Sequence, residues 1–196
     1  MRVALTFDTE HPARPSTGRA LELILASLAR AGAPATFFVQ GRWARSSPDQ
    51  ARRIGSAGHL IGNHSHHHAP MDSLTEDGFR ADVRAAGATI EAVTGVDPRP
   101  WFRCPFGEGI DDPDVVHRLA ELGYVHVGWD VDPRDWHEDN DADSVTREVL
   151  EGIRGLDDSV VLLHSWPDAT AKALPRILSG LAAEGAELVD VATLGG

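Results

Sequence analysis

Ser159-Val160-Val161-Leu162-Leu163-His164 is a near-continuous apolar run that stops on a histidine. A strand with one wet face alternates apolar and polar residues. A strand apolar throughout is covered on both faces, as in parallel sheets layered by helices. Short runs ending on a chemically active side chain recur along the chain. Val3-Ala4-Leu5-Thr6-Phe7 leads to Asp8, His59-Leu60-Ile61 leads to Gly62-Asn63-His64-Ser65-His66-His67-His68, and Trp101-Phe102-Arg103 ends on an arginine. Further strands are expected over 35–39, 124–129 and 187–191.

Helical signals lie between these runs. Leu21, Ile24, Leu25 and Leu28 recur at helical spacing before Gly32. Ser47-Pro48-Asp49-Gln50 reads as a helix opening. Ser73 with Glu76 reads as the capping box of a long helix that buries Phe79, Val83, Ile90 and Val93 and closes at Gly95. Asp112-Pro113 opens the next, Ser144 begins another, and Pro175 is expected to open or kink the last, whose apolar side is Ile177, Leu178 and Leu181. About seven βα units imply a (β/α) barrel or a doubly wound sheet. In a barrel the carboxyl ends of the strands share one face, so Asp8, His64, Arg103 and His164 would meet in one pocket. An open sheet would spread them. The expected fold is therefore α/β, a distorted (β/α) barrel with about seven strands, forming a single catalytic domain over 1–196.

Composition narrows the partners. With 196 residues and 42% hydrophobic content, a single core can bury about 70% of the unfolded surface. A formal charge of −12 argues against nucleic acid and against anionic membrane as the main partner. The single Cys104 forbids an internal disulfide; without an activating base it reads as a small apolar filler. No apolar run approaches the ~18 to 20 residues of a membrane span. The first strand starts at Val3, too soon for a signal peptide. A cytoplasmic protein is expected, or a secreted or cell-surface one if a leader precedes the sequence.

His64 and His68 stand four apart, which on a helix or tight helical turn brings both imidazoles to one face and offers two nitrogens to one divalent cation. Asp8 and Glu10 are two apart, so on an extended strand they point the same way. One carboxylate can hold a metal while the other takes a proton from an attacking water. Two histidines and a carboxylate with open positions make a catalytic rather than a structural metal site. His66 and His67 are expected to face solvent or line the rim, and Asn63 to shape the loop.

Five ordered motifs make the chain resemble a polysaccharide deacetylase with a NodB-homology domain, carbohydrate esterase family 4, over nearly its whole length. They are Thr6-Phe7-Asp8-Thr9-Glu10, His64-Ser65-His66-His67-His68, Arg103-Cys104-Pro105-Phe106-Gly107, Asp132-Pro133-Arg134-Asp135-Trp136 and Leu162-Leu163-His164. The family's usual first motif has adjacent aspartates, where this chain has Thr9. Under a D-x-[D/E] variant Asp8 stays the base and Glu10 binds the metal with His64 and His68; the alternatives are ligation by His11 or Asp8, or an altered site. The resemblance further implies that the backbone N–H of Phe106 stabilises an oxyanion and that His164 protonates the leaving amine. Arg103 would orient Asp8, while Asp135 would hold Arg103 or His164, with Asp132 competing for that role. Leu162 would line the substrate site, and Trp136 and Trp166 would either stack on a sugar ring or pack in the core. The implied cofactor is zinc, with cobalt, manganese or nickel as alternatives. The implied substrate is an acetylated glycan, such as chitooligosaccharide or peptidoglycan, or a small acetylated amine. O-deacetylation of acetylxylan, hydrolysis of a cyclic imide or other small amide, and an inactive glycan-binding relative stand as alternatives. Oligomeric state is not implied.

Overall fold

The computed structural model describes residues 1–194. Its elements in chain order are β1 (Arg2–Thr9), α1 (Ala20–Ala31), β2 (Thr36–Val39), α2 (Gly41–Ser46), α3 (Pro48–Ser56), β3 (Leu60–Asn63), α4 (Glu76–Thr94), β4 (Trp101–Phe102), α5 (Pro113–Glu121), β5 (Val125–His126), α6 (Ala142–Gly152), β6 (Asp158–His164), α7 (Asp168–Ala183), β7 (Glu187–Val189) and α8 (Val191–Leu194). Seven strands lie at or close to the expected positions. The fifth shrinks to Val125–His126. Among the described residues, 1–36 with 129–194 form one compact unit and 37–128 another. Among the described residues no helix is long and apolar enough to cross a membrane.

In the first unit β1 and β6 run parallel in register from Arg2↔Asp158 to Asp8↔His164. β7 joins the opening residues of β1, from Arg2↔Glu187 to Ala4↔Val189. Ser159, Val161, Leu162 and Leu163 are all buried, so β6 is covered on both faces as its composition requires. α7 packs against both α1 and α6. Leu21, Ile24 and Leu28 form the buried side of α1, each contributing roughly 1.5–3 kcal/mol by leaving water. The chain leaves α1 through Gly32 at φ 60°, a left-handed conformation that costs glycine little.

Two helix starts in this unit differ from expectation. α6 is capped by Asp141, three residues before Ser144. The Asp141 carboxylate accepts from the N–H groups of Asp143 and Ser144, both at 2.9 Å, and the Ser144 hydroxyl accepts from Asp141 N–H at 2.9 Å. The pair is reciprocal, and Ser144 is its inner member. α7 opens at Asp168, seven residues ahead of Pro175, and continues past the proline. Pro175 forfeits one helical N–H, but Leu174, Ile177, Leu178 and Leu181 are buried around it, and that packing holds the helix together.

In the second unit β2, β3, β4 and β5 are neighbours in that order, with parallel pairing at Asn63↔Phe102 and Trp101↔Val125. Phe79 and Val83 of α4 join Met71, Phe102, Cys104, Val115, Leu119 and Tyr124 in one apolar cluster. The cap of α4 is Thr75, whose hydroxyl accepts from Gly78 N–H at 3.2 Å, and not Ser73. Ser73 lies in a 3-10 turn with its hydroxyl on the Pro70 carbonyl. α2 is an addition with no apolar period of its own. It holds because Gly41 and Arg42 donate to the carbonyls of Ser65 and His66, which satisfies orphan groups of its first turn. Gly62 is required by space: a Cβ there would stand 2.6 Å from the Phe38 ring.

Candidate active site

In the first unit, chemistry gathers where β1 and β6 end side by side. Asp8 and His164 are register partners, and Ser165 N–H donates to the Asp8 carbonyl at 3.0 Å. Asp8 and Glu10 are both buried, at 5% and 8% exposure. His164 is fixed by Asp135. The carboxylate accepts from His164 Nδ1 at 2.7 Å, from His164 N–H at 2.7 Å and from the Thr170 hydroxyl at 2.5 Å. Burial works against charge on this imidazole, but the Asp135 carboxylate outweighs it, aided by Asp8 and Glu10. The His164 pKa is pushed up to about 9. The Asp135 carboxylate thus holds His164, one of the partners anticipated for it. Asp132 is engaged in its own loop, accepting from Arg134 N–H at 2.8 Å.

The two tryptophans near these motifs part company. Trp166 is buried with its ring 6.2 Å from that of His164. Trp136 is exposed and its ring meets His137. Leu162 lies buried within β6. Thr170 was not anticipated; it stands on the buried face of α7, where a hydroxyl among alanines and leucines is the only sequence trace.

In the second unit the histidine pair forms on a loop, correcting the helical turn expected of its spacing. Ser65 and His68 take positive φ, 63° and 59°, which folds the segment back on itself. His64 Nε2 and His68 Nε2 end 3.1 Å apart. His64 Nδ1 lies 2.9 Å from the Arg103 carbonyl. A carbonyl only accepts, so Nδ1 carries the proton and Nε2 presents its lone pair. His67 reaches solvent as expected; His66 does not. His66 is 7% exposed and tucks against Gly41, where a Cβ would collide with its Nδ1. Burial, with His67 nearby, holds its imidazole below the ordinary histidine range.

Asp82 of α4 shapes this loop and belongs to no motif. It accepts from the Ser65 hydroxyl at 2.6 Å, His66 N–H at 2.7 Å and His67 N–H at 3.0 Å, and the Ser65 hydroxyl accepts from His68 N–H at 3.0 Å. Its signal was an aspartate between Phe79 and Val83 on the apolar side of a helix. Asn63 braces the same turn, its carbonyl accepting from Ser65 N–H and its amide donating to Val83.

Arg103 is fully buried, donates to the carbonyls of Val127 and Gly128, and stacks 4.2 Å from the Phe38 ring centroid. Phe106 follows at φ 60° and is 65% exposed, with its ring against the His68 imidazole. A non-glycine residue at positive φ marks a site where local strain is tolerated for geometry. Between them Cys104 is buried in the apolar cluster, and burial pushes its thiol up to about 12. That removes it as a nucleophile.

The donor chemistry suits a divalent cation. Two imidazole nitrogens each ~2.0–2.1 Å from one zinc at a tetrahedral angle stand roughly 3.3 Å apart, close to the His64–His68 spacing of 3.1 Å. His64 and His68 offer two imidazole nitrogens to such an ion.

Comparison with known proteins agrees with this chemistry. Residues 1–127 match the polysaccharide deacetylase family model. A peptidoglycan-N-acetylglucosamine deacetylase of Bacillus cereus is 31% identical over 98% of this chain and 67% of its own length. Among solved structures, a family 4 carbohydrate esterase from Streptomyces lividans in complex with acetate superposes with a TM-score of 0.81 at 32% identity, over 94% of this chain and 90% of that one. A CE4 family pseudoenzyme from Bacillus anthracis reaches 0.87 at 28% identity, over 98% of this chain and 64% of that one. The distorted (β/α) barrel expected of the sequence is therefore the fold of the chain. The chain belongs to the polysaccharide deacetylase family, carbohydrate esterase family 4.

Proposed function

We propose that this protein is a metal-dependent hydrolase that removes acetyl groups from N-acetylated sugars of the chitooligosaccharide or peptidoglycan kind. The observation that carries the reading is the register pairing of Asp8 with His164, with His164 pinned through Nδ1 by Asp135. An amide needs both a base for the attacking water and an acid for the departing amine, and β1 and β6 bring such a pair to adjacent strand ends. Glu10, His64 and His68 would hold the metal; zinc is the expected ion. When bound, it supplies Lewis acidity for the acetyl carbonyl.

The protein groups then divide the proton traffic. A carboxylate of Asp8 takes the proton of the attacking water. With Nδ1 committed to Asp135, His164 Nε2 is the nitrogen that delivers a proton to the leaving nitrogen, and its raised pKa keeps that proton in place at neutral pH. The Phe106 N–H, set by a strained backbone, would donate to the developing oxyanion. Arg103 serves twice: its carbonyl fixes the His64 tautomer, and its guanidinium would orient Asp8, as the family resemblance implies.

Acetate release from chitooligosaccharides, acetylxylan and peptidoglycan, measured side by side, tests the reading. N-acetylated glycans should be the better substrates, chelation should abolish turnover, and added zinc or cobalt should restore it. Asp8→Asn should keep its metal and lose ~10²–10⁴ in kcat. Full turnover in Asp8→Asn, or turnover indifferent to chelation, rejects the mechanism.

A further inference from the structure

We propose that Thr170 is a positioning residue of the reaction: its hydroxyl anchors Asp135 to α7 and thereby aims His164 at the leaving nitrogen. The inference rests on the deacetylase reading above and gives that reaction one further residue. Asp135 stands on the loop between β5 and α6, so its side chain is placed by what it touches. Two of the three hydrogen bonds its carboxylate accepts come from His164, through Nδ1 to one oxygen and through the backbone N–H to the other. Two points define an axis about which the carboxylate plane can rock, carrying the ring with it. The third bond removes that freedom, because it comes from another element. The Thr170 hydroxyl on α7 reaches the same oxygen as the His164 N–H, at 2.5 Å.

A carboxylate only accepts, so the Thr170 proton is committed to Asp135, and the contact belongs with the short charge-assisted hydrogen bonds. Thr89, Thr94 and Thr146, inside α4 and α6, donate instead to the carbonyl four residues back, as helical threonines commonly do. Thr170 is the third residue of α7. No helical carbonyl lies four residues behind it, and its hydroxyl reaches outward. The platform that carries it is well packed: Thr170, Ala173 and Leu174 are fully buried, and α7 lies against α1 and α6. The Asp135 loop has a brace of its own, since the Asn140 amide donates to the carbonyls of Pro133 and Arg134 at 3.3 and 2.8 Å. Removing the hydroxyl therefore leaves the loop in place and loosens the Asp135–His164 pair.

Departure of the amine is the step that needs this aim. As the C–N bond breaks, its electron pair stays on nitrogen and takes the proton from His164 Nε2. A misplacement of ~1 Å at a reacting group can cost ~10²-fold in rate. A leaving group that is stable as an anion, such as 4-nitrophenolate, departs without that proton. Loss of the anchor should therefore be felt by an amide and hardly by an activated ester, which separates the aim of His164 from any general damage to the protein.

The test compares the wild type with Thr170→Val and Thr170→Ser, all zinc-loaded. Valine keeps the shape and removes the donor; serine keeps the donor. On an N-acetylated chitooligosaccharide Thr170→Val should lose about tenfold in kcat at unchanged KM, a part of the ~10²–10⁴ that a general acid supplies. On 4-nitrophenyl acetate it should lose no more than about twofold, and Thr170→Ser should recover most of the amide activity. The Nδ1 proton of His164 reads the anchor apart from turnover. Its exchange with solvent, followed by NMR, should quicken about tenfold in Thr170→Val, as local opening becomes easier, and stay near the wild-type rate in Thr170→Ser. Unchanged amide kcat or unchanged exchange in Thr170→Val overturns the proposal, as does a failure of serine to restore either. Equal losses on amide and ester overturn it too, since Thr170 would then support the protein at large. Faster exchange in Thr170→Val, with no acetate released from any glycan by the wild type, upholds the anchor and counts against the deacetylase reading alone.

Discussion

At Ser65 and His68 the backbone holds positive φ on residues with a Cβ, a state of order 1–3 kcal/mol above the common wells that persists only where neighbours over-determine it. Here Asn63, which accepts from Ser65 N–H, and above all Asp82 supply the over-determination. Asp82 gathers three donors of the loop, and Ser65 passes the constraint on to His68 N–H. Without Asp82 the loop gains freedom, and two imidazoles must then be ordered by the metal itself. Asp82→Ala should weaken zinc affinity 10–100-fold, the usual effect of losing support around a ligand. Asp82→Asn, which keeps one good acceptor, should fall between. Competition with a chromogenic chelator reads this directly, and unchanged affinity in Asp82→Ala would remove Asp82 from the site. At this scale the sequence shows which side chains carry chemistry, because Asp8, His64, Arg103 and His164 stand in recognisable patterns. It shows less of what positions them. Asp82 and Thr170 act across 16 and 35 residues of chain to His66 and Asp135, and no local pattern encodes such a meeting.

α4 presents the corresponding question for an element, since it carries both Asp82 and much of the second unit's apolar cluster. Its start depends on Thr75, whose hydroxyl takes the Gly78 N–H. Thr75→Ala should lower stability by about 1 kcal/mol, seen as a lower denaturation midpoint with the same slope, while zinc affinity stays within twofold of wild type. If affinity falls as far as in Asp82→Ala, the effect of Asp82 is one of helix stability and not of loop geometry. The cap also shows where element reading fails. Ser73, Thr75 and Glu76 all satisfy helix-start preferences, and the choice between them is made by the 3-10 turn at Met71–Ser73. Asp141 and Ser144 form a reciprocal pair, and the residue that reads as the helix start, Ser144, is its inner member. α2 escaped notice because its stability is borrowed from carbonyls of Ser65 and His66, not from its own sequence.

For the whole molecule, the alternation of buried strands and amphipathic helices fixed the fold class before any contact was known, because a strand such as β6 with both faces apolar has few architectures open to it. Strand lengths were less legible, since Gly128 and Trp129 read as strand yet leave the ladder after His126. The clearest molecule-wide consequence of the site lies in pH. A free imidazole holds its proton to about 6.5, whereas His164 in the folded, metal-free protein holds it to about 9. The native state thus binds this proton more tightly than the unfolded chain does. The stabilisation is complete below about pH 6.5, declines as pH rises, and is lost through about 9. Denaturant midpoints of the chelated protein should therefore fall from pH 6 to 9.5 more steeply for the wild type than for His164→Gln. Asp135→Asn should flatten the profile in the same way, since the carboxylate that raises the pKa is gone. Using the difference between each variant and the wild type cancels the other titrating groups. A difference that does not change between pH 6 and 9.5 would mean that Asp135 orients His164 without holding its charge, and the proton for the leaving amine would have to come from elsewhere.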